Sequence, residues 1–105
     1  MALLANSAVD YEVRSAMMVT DVQDQAIAAR MALIVGADRF DRLFRAVRFD
    51  EVDGDILYVY AQDEDAAAKM EDEFALHISI VAAKVLEREI NGVLVLPRQL
   101  MKSER

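Results

Sequence analysis

The chain has 105 residues, 55% apolar and 30% charged, which is the size and composition of one globular domain with enough hydrophobe for a core. It holds no cysteine, which excludes disulfides, thiol catalysis and thiolate zinc sites, and its three glycines (Gly36, Gly54, Gly92) leave no phosphate-cradling GxxxxGK[ST] or GxGxxG loop. The net charge of −7 argues against strong non-specific nucleic-acid binding, whose affinity comes mainly from Lys and Arg displacing counterions.

The apolar stretch Met1–Val9 lacks a basic start and is cut short by Asp10 and Glu12, so it does not read as a secretion signal. No run of 18 apolar residues occurs, so no membrane span is expected and the reading is of a soluble, cytoplasmic protein. Ser7 and Asp10 predict a short helix running through Met17 and Met18. At Thr20 the run Thr20-Asp21-Val22-Gln23 fits a capping box, and Val22, Ile27, Met31, Leu33, Ile34 and Val35 give the following helix an apolar face that stops at Gly36. Phe40, Leu43, Phe44 and Val47 recur at helical spacing, which predicts a second helix from Asp38.

The period then changes. Val47-Arg48-Phe49 and Ile56–Tyr60 are β-branched and aromatic, and Asp53-Gly54 between them predicts a tight hairpin. Asp63, Glu64 and Asp65 suit the positive end of a helix, and Ala67, Met70, Phe74, Ile78, Val81 and Val85 predict about six turns, with a break allowed near Ser79. Asn91-Gly92 is expected to close that helix, and Val93–Leu96 to form a last strand ended by Pro97. The expected fold is α+β in the order α-α-α-β-β-α-β, with helices on one face of a three-stranded sheet. Residues 1–19 read as an apolar extension, 20–97 as one α+β domain and 98–105 as a polar tail.

Candidate chemistry is sparse. His77 is the only histidine and has no ligand partner at i+3 or i+4, so it reads as structural. Asp50–Asp55 lacks the alternating register of a calcium loop, and Tyr60 stands where that loop needs glutamate. The acidic runs Asp63–Asp65 and Glu71–Glu73 read as solvated helix surface, and no GxSxG elbow accompanies any serine. Tyr58 and Tyr60 alternate with Ile56 as a base-stacking platform would, but so does a helix-covered sheet face; the acidic balance favours core packing. No enzyme, cofactor or metal site is expected.

Residues 22–96 resemble the N-terminal interaction domain of the bacterial replication initiator DnaA. The likeness lies in the helix ending Ile34-Val35-Gly36, the short helix from Phe40 to Val47, and the hairpin Asp53-Gly54-Asp55-Ile56-Leu57-Tyr58-Val59-Tyr60-Ala61, which is similar to the family's DG-x-L-x-L-x-A run. A helix carrying Met70, Phe74 and Ile78 and the strand Val93–Leu96 complete it. The family has tryptophan where Leu43 stands and proline where Gln62 stands, and its partner-facing aromatics fall at Asp65 and Lys69. An acidic residue that helps some members dock the replicative helicase falls at Arg39.

The resemblance implies a non-enzymatic, KH-like protein-interaction module, an adaptor or regulator of replication initiation. Its partner would be the initiator, the helicase or an initiation regulator, with a homodimer open. Met1 and Arg105 suggest a free-standing copy. The implied contact residues are Arg39, Arg42, Asp65 and Lys69. One alternative is a KH-like nucleic-acid module using Arg39, Arg42, Arg45 and Arg48 as a basic strip, although the GXXG clamp is missing. Another is a phage or mobile-element inhibitor of the host initiator, acting through the same surface.

Overall fold

The computed structural model describes residues 16–100. Thr20 makes the expected capping box: its hydroxyl accepts from the Gln23 amide at 3.1 Å, and its own amide donates to the Gln23 side chain at 2.9 Å. This starts α1 (Asp21–Val35), which buries Ile27 and Met31. Gly36, at φ 97°, turns the chain directly into α2 (Ala37–Leu43). That helix stops four residues short of the expected Val47. Phe44 is drawn into the core, and Ala46 takes a left-handed φ of 59°, while the Arg98 guanidinium donates to its carbonyl at 2.9 Å. The chain is thereby turned toward the sheet before a helical face through Val47 can form.

The sheet has four strands rather than three, in spatial order β1 (Ala16–Met18), β2 (Arg48–Asp53), β3 (Ile56–Ala61), β4 (Gly92–Pro97). Met17 and Met18, expected at the end of a helix, instead pair antiparallel with Val52 and Glu51. The start of that expected helix at Ser7 and Asp10, with the rest of the apolar extension through residue 15, lies outside the described residues, as do 101–105 of the expected tail; Arg98–Leu100 form a 3-10 turn. The element order is therefore β-α-α-β-β-α-β, an α+β domain with a mixed sheet.

The β2–β3 hairpin forms where Asp53-Gly54 predicts it. Asp53 pairs with Ile56, so Gly54 (φ 67°) and Asp55 are the two loop residues, with glycine at the position a type II′ turn requires. Phe49 and Val52 both have 0% exposure although they stand three positions apart, an offset that would place them on opposite faces of a regular strand. An irregularity between Phe49 and Glu51 supplies one extra residue, Asp50, and so returns both side chains to the core face.

Asp63 caps α3 (Glu64–Leu86) by accepting from the Ala66 amide at 2.8 Å. The helix runs unbroken through Ser79, whose hydroxyl donates to the Leu76 carbonyl, and its stripe Met70, Phe74, Ile78 and Val81 lies on the sheet. It ends at Glu87 (φ 56°), earlier than the expected Asn91-Gly92. Gly92 has a different task. A Cβ there would stand 2.7 Å from the terminal methyl of Ile56, so a larger residue at the start of β4 would have to displace that side chain. β3 and β4 are parallel, and α3 is the crossover that such a pair needs.

Leu57, Val59 and Ala61 on β3 meet Ile27, Met31, Met70 and Ile78, which makes theirs the helix-covered face. Ile56, Tyr58 and Tyr60 therefore point away from the helices; Ile56 and Tyr58 are only partly buried, contrary to the expected core packing, whereas Tyr60 is buried as expected, though on the other face. Tyr60 is only 9% exposed, and burial pushes its phenol above the usual tyrosine value, with Asp50 and Glu51 adding to the effect.

Candidate interaction cleft

Residues Arg39 and Arg42 stand three apart on α2, and Asp65, Lys69 and Glu73 recur every four residues on α3, so each set forms one helical face. The two faces oppose each other across a cavity of about 390 Å³ whose lining includes all four sequence-derived contact residues, Arg39, Arg42, Asp65 and Lys69. Its support is aromatic. Phe40 stacks on Phe44 at 4.9 Å, and Phe44 meets the edge of Phe74 at 5.9 Å, joining α2 to α3.

The cleft's charged groups differ in what already holds them. Arg39 forms an ion pair with Glu73, and its guanidinium lies 5.2 Å from the Phe74 ring centroid. Asp63 is occupied by its cap, and the Gln62 amide donates to the Arg42 carbonyl at 2.9 Å, tying the β3–α3 connection to α2. Among the described residues, the side chains of Arg42, Asp65 and Lys69 have no hydrogen-bond or ion-pair partner. They are exposed and face one cavity from both walls, which is an arrangement able to receive charged groups from outside.

The arginines of the alternative basic strip do not form one surface. Arg48 is held by Asp21 at 2.9 Å, Asp24 at 3.4 Å and Asp50 at 3.8 Å, and it also donates to the Val19 carbonyl. The Asp21 hydrogen bond is the main reason its pKa is raised. Asp24 in turn accepts from the Phe49 amide at 2.8 Å. Burial raises the Asp24 pKa despite that bond and the Arg48 charge, because removing a carboxylate from water disfavours its ionised form. This cluster fastens the start of α1 to the start of β2.

Two other features bear on function. The helix-free sheet face presents Met18 at 63% and Leu94 at 38% exposure beside Tyr58, with Glu51 and Asp53 on the same face. Nothing local in the sequence distinguishes the two faces of β3, since both are apolar or aromatic. His77 is exposed and meets the edge of Phe74 at 6.1 Å. No group of three or more acidic or histidine side chains among the described residues is placed to hold a metal ion, and no described helix is long and apolar enough to cross a membrane. Neither a family model nor a curated protein sequence matches this chain.

Proposed function

We propose that the protein is a non-enzymatic protein-interaction module, similar to the KH-like N-terminal domain of the initiator DnaA, that acts as an adaptor or regulator in bacterial replication initiation. The observation that carries this reading is spatial. Arg39, Arg42, Asp65 and Lys69, chosen from the family's partner-facing places, line a single cleft although 30 positions of sequence span them. Within it, Arg42, Asp65 and Lys69 are the contact groups, while Arg39 is a positioning residue that braces α2 against α3 through Glu73 and Phe74. The test is affinity capture from the native host with the purified protein and with the charge reversals Arg42→Glu and Asp65→Arg. Retention of the initiator, the helicase or a loader, weakened by either reversal, supports the reading. Recovery of the protein alone, or of nuclease-sensitive nucleic acid, contradicts it.

The nucleic-acid alternative draws support from Tyr58 on the open sheet face, where a base could stack. It is disfavoured by Glu51 and Asp53 on that face and by the engagement of Arg39 and Arg48 elsewhere. Micromolar filter binding at near-physiological salt would favour it over the adaptor reading.

A further inference from the structure

A sheet exposes two edges, and an unguarded edge is a template for strand addition. Here the described part of β1 is three residues long, whereas β4 is a six-residue strand, Gly-Val-Leu-Val-Leu-Pro, of the apolar kind that pairs readily. Its outer edge is therefore the main liability of the described fold. In a strand the amides alternate in direction. The Val95 amide points outward, because it donates to the Glu71 carboxylate of α3 at 3.2 Å rather than to β3. The outward positions are then Val93, Val95 and Pro97, and proline has no amide to offer. Only the Val93 amide is left for an incoming strand.

We infer that Glu71 holds the β4 edge closed against pairing with the β4 edge of a second copy of this chain. An added strand must present a carbonyl to the Val95 amide at the place the carboxylate occupies, and that carbonyl oxygen would also be repelled by the negative charge. Two such edges meeting about a two-fold axis would join the two sheets into one, a closed and self-complementary dimer. Glu71 thus has a function unrelated to the cleft, although it lies on the same helix.

Amide hydrogen exchange and sedimentation of the full chain test this, using wild type, Glu71→Ala and Glu71→Gln at low and high protein concentration. In wild type the Val95 amide is protected and the Val93 amide is not, independently of concentration. In Glu71→Ala the Val95 amide exchanges about tenfold faster at low concentration, the loss expected for one charge-assisted hydrogen bond. At high concentration Val93 and Val95 become protected together as the sedimenting mass doubles. Glu71→Gln keeps an acceptor without the charge, so its Val95 amide exchanges at a rate between those of wild type and Glu71→Ala. The inference is overturned if Glu71→Ala loses Val95 protection without any rise in mass, or keeps that protection. Should Glu71→Ala fail to fold, concentration-dependent protection of Val93 in wild type overturns it equally, because the edge would then already be open.

Discussion

Two clusters of arginine and aspartate or glutamate occupy this small domain, and they differ in one respect. Around Arg48 every described group is engaged: three aspartates surround the guanidinium, and Asp24 also accepts from a backbone amide of β2. In the cleft between α2 and α3, one pair is closed by Arg39 and Glu73, while Arg42, Asp65 and Lys69 are left open toward solvent. The same residue types thus serve two purposes. The first cluster connects secondary structures of this chain, and the second leaves three charged side chains without partners among the described residues, which the proposed function assigns to another molecule. The difference lies in the satisfaction of each group, which composition does not reveal.

The largest expected effect comes from removing the support beneath the cleft. Phe44→Ala deletes a ring with 1% exposure that touches both Phe40 and Phe74, and should cost about 3–5 kcal/mol in denaturant unfolding. The Arg48 cluster stands next. Asp24→Ala leaves the Phe49 amide without its acceptor and removes one neighbour of Arg48, a loss of about 1–3 kcal/mol by the same measurement.

Asp24 also gives the comparison a pH dependence. Its folded pKa is raised, so the folded state takes up a proton there before the unfolded chain does. The contribution of this group to stability therefore grows as pH falls through the folded value and is lost as pH rises through it. Carboxyl-carbon NMR should place Asp24 above the ordinary aspartate range; titration at or below that range would show that the Phe49 amide and Arg48 outweigh burial.

Smaller effects are expected in the cleft. Arg39→Ala removes a half-exposed ion pair and a cation–π contact, together about 1 kcal/mol or less. Arg42→Glu and Asp65→Arg should each lower thermal stability by about 0.5–1 kcal/mol, since neither side chain has a partner to lose but each reversal puts the unfavourable charge at the end of its helix. A loss well beyond about 1 kcal/mol for either reversal would mean that the cleft is structural after all.

Local chemistry made much of this architecture legible. The Thr20 capping box, the Asp53-Gly54 hairpin and the apolar stripe of α3 are each specified within a few residues, and each stands where the sequence places it. Features set by distant partners were not legible in the same way. Met17 and Met18 suit a helix as well as a strand, and only pairing with Val52 and Glu51, far along the chain, decides between them. The first hairpin strand was legible only at Val47–Phe49; the acids of its second half, and a bulge at Asp50 that breaks the alternation, hid its extent to Asp53. Ile56, Tyr58 and Tyr60 are as hydrophobic in pattern as Leu57, Val59 and Ala61, so the choice of core face was open until the helices were placed. For the cleft, family resemblance supplied four positions, but the Arg39–Glu73 pair, 34 residues apart, is a tertiary fact. It changes Arg39 from a contact to a brace.

The most direct test of this distinction is quantitative capture of the host initiator, helicase and loader by wild type, Arg42→Glu, Asp65→Arg and the double reversal, with melting temperatures measured alongside. The account predicts that a retained partner is lost progressively from wild type to the double variant, while every variant still unfolds cooperatively and its melting temperature falls only by the several degrees that reversed helix-end charges account for. Undiminished retention by the folded double variant would contradict it, because the unengaged charges of the cleft would then have no part in binding.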